Sequence, residues 1–179
     1  MNRKVLIWEI AGIVFITIVG SLFHFVFEWT GNWAPIGGFF AVNESVWEHL
    51  KLPFWSLFIF ALIEYPFIRK NSENFIIGKA SAVLISITTI LLTFYSYTSI
   101  FQVELLIVDI LSFVIGVIIG QIISYQIIIR NSFSNWYKNI SWIVLFGLGI
   151  IFIVFTYIPP HLPLFLDSNT GLYGIITNL

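Results

Sequence analysis

Hydrophobic residues run along this chain in long blocks instead of alternating with polar ones. Five blocks reach the ~20 helical residues that a hydrocarbon layer of ~30 Å requires, at residues 5–27, 46–68, 75–98, 102–129 and 139–159. Each block is apolar nearly all round, so no helical period marks an inner face and the few polar positions have to do so. The pattern predicts an all-α fold: an integral membrane bundle of five transmembrane helices, one domain over residues 1–179, with a C-terminal tail at 160–179. Asn2-Arg3-Lys4 ahead of the first block resembles the start of a secretory signal, but the apolar run lasts about 23 residues and no small-x-small cleavage site closes it. It reads as a retained first span.

The segments between the blocks sharpen this picture. Residues 30–42 contain Gly31, Pro35, Gly37 and Gly38, which break helices, together with Trp33, Phe39 and Phe40, which keep the stretch apolar. Such a segment suits the membrane interface or a shallow re-entrant loop, and is expected to roof the outer end of the bundle. The loops at 69–74 and 130–138 are short and polar. Ile158-Pro159-Pro160-His161-Leu162-Pro163 ends the fifth block, because proline removes backbone donors and forces extended geometry before it. Asp167-Ser168-Asn169-Thr170-Gly171 reads as a turn, followed by a short apolar end at the interface. With the N-terminus inside, Arg3, Lys4, Arg69, Lys70, Lys79, Arg130 and Lys138 all fall on the cytoplasmic side and only Lys51 falls outside. The same threading gathers Glu28, Glu44, Glu48, Glu104, Asp109, Asp167 and all three histidines, His24, His49 and His161, at the outer end.

Composition removes several function classes. Only 9% of residues are charged, against ~25% in a soluble domain, and the mean hydropathy is +0.97, which points to the cell membrane and a lipid-bilayer partner. A net charge of -1 and the lack of any Lys/Arg cluster exclude a nucleic-acid surface. The chain has no cysteine, so disulfides, thiolate nucleophiles and Cys-ligated metals are excluded together; any metal needs His and carboxylate ligands. No internal repeat marks two transporter halves, and five spans do not divide equally.

The densest chemistry lies in Asn43-Glu44-Ser45-Val46-Trp47-Glu48-His49-Leu50-Lys51. Ser45 and Glu48 match a capping box at the start of the second span, and Lys51 is spaced to pair with Glu48. Neither role accounts for Glu44 or His49. His24 and Glu28, four apart, are expected to share a helix face near the end of the first span. In the fourth span Glu104 and Asp109 lie about 140° apart round the helix, with Asp109 about 10 Å inside the outer boundary. A carboxylate at that depth faces the bundle interior and needs a partner: His24, His49, Lys51 or His161, or, if protonated, a serine or tyrosine. Glu9 and Glu64, near the inner span ends, are expected to pair by snorkelling with Arg3, Lys4, Arg69 or Lys79.

Through the Asn43–Lys51 motif, the Pro-Pro-His segment and residues 167–174, the whole chain resembles an uncharacterised family of small prokaryotic multi-pass membrane proteins. That resemblance implies membrane location and no particular chemistry. Gly20-Ser21-Leu22-Phe23-His24 is similar to the serine-then-histidine segment of alkaline-ceramidase-type membrane hydrolases, which bind zinc through histidines. Here the Ser-to-His spacing is one residue shorter, and the paired histidines of those enzymes' last span are missing, with Tyr157 and Phe165 flanking His161.

Three readings stand open on the residues. In the first, His24, His49 and His161 ligate zinc, with Asp109, Glu48 or Glu44 as general base or fourth ligand, and the substrate is a lipid or lipid-linked molecule. In the second, the same residues form an outward vestibule that binds or transports a cation, a proton or a small polar solute. In the third, the chain is a non-catalytic accessory subunit that docks through its outer loop.

Overall fold

The computed structural model describes residues 2–70 and 72–176; Asn71 of the second loop and the end of the tail expected at the interface, residues 177–179, lie outside them. The described residues form helices α1 (Arg3–Phe23), α2 (Val26–Trp29), α3 (Val46–Ile68), α4 (Phe75–Phe101), α5 (Leu106–Ile128) and α6 (Asn135–Tyr157). Two 3₁₀ turns, Ala34–Ile36 and Pro163–Phe165, complete the set, and among the described residues there is no strand, only an antiparallel bridge between Leu166 and Tyr173. Helices α1, α3, α4, α5 and α6 are long and apolar enough to cross a bilayer, so this is a multi-pass membrane protein with five spans.

Of the helix ends that depart from expectation, two shape the site. The first span stops at Phe23, not at 27: the amides of His24 and Phe25 bond back to Ser21 and Leu22, three residues away, and this tightened turn separates α1 from α2. Glu28 is therefore an exposed residue of α2 and not the next step up the His24 face. The span after α4 begins at Leu106, not at 102, because Gln102 takes the left-handed conformation (φ +55°) and the Tyr97 hydroxyl caps the amide of Leu105 at 3.1 Å. Glu104 thus lies in the connection, and Asp109 lies in the first turn of α5, nearer the helix end than its expected depth.

The five spans alternate in direction. At one end Val5, Ile68, Phe75 and Ile128 pack into one small core, so the start of α1, the end of α3, the start of α4 and the end of α5 meet there. At the other, His24 after α1 reaches Glu44 and His49 at the start of α3, and Thr156 at the end of α6 reaches Lys51. Each helix turns its smallest or most polar side chains inward. In α1 Val5, Glu9, Gly12, Ile16 and Gly20 are buried while Ile7, Ile10, Val14, Ile18 and Leu22 face outward, the reverse of a soluble helix and the arrangement a hydrocarbon surround favours.

The closest pairing joins α4 to α5. Gly116 and Gly120, one turn apart, let the α5 backbone approach Ala82 and Ser86 on α4; a Cβ at Gly120 would stand 2.7 Å from the Ala82 carbonyl oxygen. Ser86 then donates across to the Gly116 carbonyl at 3.1 Å.

The loop of residues 30–45 is held to the bundle by a buried charge pair. Lys51 and Glu48 form a salt bridge with both side chains almost fully buried, and the Lys51 ammonium also donates to the Gly37 carbonyl (2.7 Å) and to Thr156 Oγ1 on α6 (2.8 Å). Glu48 accepts from the amide of Val42 at 2.9 Å. Ser45 caps α3 as its spacing predicts, accepting from the Glu48 amide at 3.3 Å; the Glu48 carboxylate reaches Val42 in place of the Ser45 amide, which Asn43 Oδ1 takes. Tyr157 of α6 and Trp55 of α3 hold the carbonyls of Ala34 and Gly38.

Replacing Gly120 by valine is expected to cost about 1–3 kcal/mol, because the new side chain meets backbone and not a movable side-chain end. Thermal unfolding in detergent should show a lowered Tm, whereas the same change at Gly147, which has open space around it, should leave Tm unaltered.

Candidate metal centre

The turn after α1, the loop before α3 and the first turn of α3 deliver one side chain each to a common point. His24 Nε2 lies 3.3 Å from Glu44 Oε2, His49 Nε2 lies 3.4 Å from the same oxygen, and the two Nε2 atoms are 3.3 Å apart. Ligands held ~2.0–2.1 Å from a tetrahedral zinc stand ~3.3–3.4 Å from one another, so these three atoms have the dimensions of one face of such a tetrahedron. Two imidazoles and one carboxylate are also a donor set known at catalytic zinc, with a fourth position left to water or substrate. The residues therefore fit a divalent ion by both spacing and chemistry, and His24, Glu44 and His49 form a group able to hold one.

Glu44 owes its place to the tail. Asp167 Oδ1 accepts from the Glu44 amide at 2.9 Å, and its other oxygen holds the amide (3.0 Å) and hydroxyl of Thr170, closing the turn. Asn43 donates to the carbonyl of Gly174 at 2.9 Å, and Gly174 has φ +68°, which a side chain would strain. Trp47 packs on Phe165, so the tail is seated by apolar contact as well. Asp167 is thus a residue that positions a ligand, a role its turn motif did not reveal.

The group opens into a cavity of about 410 Å³. Phe25, Leu52, Ile90, Phe94, Leu106, Ile110 and Phe113 form its apolar walls, and Asp109 and Ser21 add polar atoms. Phe25, Leu106 and Ile110 among them are also exposed on the surface of the bundle. Asp109 accepts a hydrogen bond from Tyr97 at 2.9 Å, the tyrosine alternative among its expected partners. A second cavity of about 350 Å³ adjoins, lined by Glu44, Phe94, Glu104, Gln102, Leu166 and Ser168, so Glu44 stands between the two.

Of the residues singled out in the sequence, His24, His49, Glu44 and Asp109 line one cavity. Glu48 is engaged with Lys51, Val42 and Thr156 on another side of α3. His161 is exposed and lies against the ring of Tyr173, outside the ligand group. Tyr97 was missed, since nothing local distinguishes it from the other tyrosines; Asp167 was placed at the outer end but read only as the start of the turn at residues 167–171.

These features define the class: a five-span membrane bundle with a two-histidine, one-carboxylate group beside a cavity with apolar walls. The profile of a family of unknown function, DUF6512, matches residues 1–175, and the chain belongs to that family. No curated protein and no solved structure matches it.

Hydrogen bonding from His24 and then from His49 holds the Glu44 carboxyl well below its ordinary value of 4.5. The Glu44 bond in turn raises His24 above 6.5, against the lowering effect of burial. Glu44 stabilises the fold above 4.5, an effect lost as pH falls through its depressed value; His24 does so below 6.5, an effect lost as pH rises through its raised one. Metal-free protein should therefore gain most from this pair between pH 4.5 and 6.5, seen as a Tm that declines on the alkaline side. A cation must displace the His24 proton, so zinc affinity measured by titration calorimetry should weaken as pH is lowered. Purified wild type is expected to carry about one zinc, His24→Ala and His49→Ala none, and Asp167→Ala to bind roughly 10- to 100-fold more weakly. Equal metal content in all four would remove the site.

Proposed function

We propose that this protein is a metal-dependent hydrolase of a lipid or lipid-linked molecule, with zinc held by His24, Glu44 and His49. The observation that carries the reading is the near-equilateral triangle of ligand atoms, 3.3, 3.3 and 3.4 Å on a side, facing a cavity that is apolar everywhere except at Asp109 and Ser21. The surplus of Lys and Arg at the opposite end supports an N-terminus in the cytoplasm, with the site at the outer face of the cell membrane.

Zinc supplies a Lewis acid for a carbonyl or phosphoryl oxygen and brings the pKa of a bound water to ~7. The chain's own residues do the rest. Asp109 is the general base: its carboxylate lines the same cavity, and the Tyr97 hydroxyl fixes one oxygen and leaves the other to take a proton. Phe94, Ile110 and Phe113 offer an acyl chain a wall continuous with the bilayer interior, so a lipid reaches the ligands without leaving its leaflet. Glu48 takes no part, since its carboxylate is committed to Lys51.

The transport reading needs a polar route onward from the cavity. Along the helices, Ile16, Phe60, Val83, Phe113 and Val117 lie between the outer group and the inner charges as part of one buried apolar core. Within that region Ser56 and Ser86 donate to helix carbonyls, and the Thr17 hydroxyl is buried without a partner.

Zinc-loaded protein should hydrolyse at least one member of a panel of fluorescent acyl and phosphoryl lipids, and a chelator should stop it. Asp109→Asn is expected to keep its zinc and lose ~10²- to 10⁴-fold in turnover, while His161→Ala retains both. No turnover across the panel, or an Asp109→Asn variant as active as wild type, would defeat the reading.

A further inference from the structure

A second charged group lies at the other end of the bundle and plays no part in the reading above. Glu9 of α1, Glu64 of α3 and Lys79 of α4 meet in the interior, each side chain at most 3% exposed. The Lys79 ammonium is 2.9 Å from Glu9 Oε1 and 2.6 Å from Glu64 Oε2. Facing them from α5, Ser124 donates to Glu9 Oε1 at 2.9 Å and Gln121 donates to the Glu9 carbonyl at 3.4 Å. No other charged side chain among the described residues is ion-paired with either carboxylate. Lys79, one of the partners expected of Glu9 and Glu64, pairs with both, but in the core and not by snorkelling to the membrane surface.

The group is unbalanced in two ways. Fully ionised, two carboxylates and one ammonium leave a net negative charge in the buried interior, which burial disfavours. The hydrogen-bond inventory shows the same deficit. Glu9 Oε2, Glu64 Oε1 and Gln121 Oε1 are buried acceptors with no partner, while the hydroxyl of Ser124 is engaged with Glu9 Oε1 and one N–H of Gln121 with the Glu9 carbonyl. Lys79 is flanked by the rings of Phe75 and Phe60 at 5.3 and 6.0 Å, so its remaining surface meets aromatic carbon. One added proton eases both deficits, since it neutralises the excess charge and turns one of these acceptors into a donor.

We infer that Glu9, Glu64 and Lys79 form a proton-binding site that holds one exchangeable proton on one or other of the two carboxyl groups. A metal cation is a poorer occupant, because Lys79 already fills the space between the carboxylates and would repel it.

Infrared spectroscopy of the full-length protein in lipid nanodiscs tests this. At neutral pH, wild type should show a protonated carboxyl stretch that shifts in D₂O and disappears on alkaline titration. Glu9→Gln and Glu64→Gln each leave one carboxylate matched to Lys79, so each should abolish that band while the protein stays folded. Asp109→Asn should leave it in place, which separates this site from the outer cavity. The wild-type titration stands by itself should a variant fail to fold. Absence of the band from wild type, its survival in both variants, or a Tm that rises with sodium at constant ionic strength and not with acidification would overturn the assignment.

Discussion

In a hydrocarbon surround, a charged side chain has to find its counterpart within the protein, and this constraint accounts for the layout of the bundle. Three groups satisfy it. Glu48 and Lys51 balance each other and use their remaining hydrogen-bonding capacity on the backbone of the outer loop and on Thr156. Glu9, Glu64 and Lys79 tie three helices at the N-terminal end. His24, Glu44 and His49 stand at the opposite end, half-buried, where charge is cheaper and a ligand has access.

These groups differ in what surrounds them. The Glu48–Lys51 pair is enclosed, each polar atom having a partner, so it behaves as a structural pin that fixes the loop carrying Glu44. The outer group is open on one side to a cavity with apolar walls, and its ligand atoms share the spacing of a coordination polyhedron. The C-terminal tail completes that arrangement: Asp167 holds the Glu44 amide, and Asn43 reaches the Gly174 carbonyl, so two segments more than 120 residues apart form one clamp. A membrane protein of this size has few irregular segments, and here both of the long ones serve the same carboxylate.

Much of the fold was legible because spanning segments obey a length rule that needs no knowledge of neighbours. The α3 limits agree with the expected 46–68, and the others shift by a few residues where a local device intervenes, such as the left-handed Gln102. The site was legible only in its ingredients. His24, His49, Glu44 and Asp109 were all marked by chemistry that an ordinary helix end does not require. His161 carried the same mark, yet it lies against Tyr173, since nothing in its own surroundings says where two prolines turn the chain. Lys79 was named among the partners of Glu9 and Glu64, but as a snorkelling pair, and its inward direction went unread because a helix apolar all round conceals its own interior face.

The sequence by itself determined a five-span membrane bundle with its imidazoles and most of its carboxylates toward one end, because hydropathy, helix length and charge sign act along the chain. Tertiary structure decided which of those residues meet. A clamp from the distant tail set the Glu44 carboxylate, the turn after α1 brought His24 to Glu44 in place of Glu28, and helix rotation set the Glu48–Lys51 pair, already legible in its spacing, against Gly37 and Thr156 while His49 entered the cavity. These meetings join segments remote in sequence, and the angles that aim such side chains are settled by packing and not by local pattern.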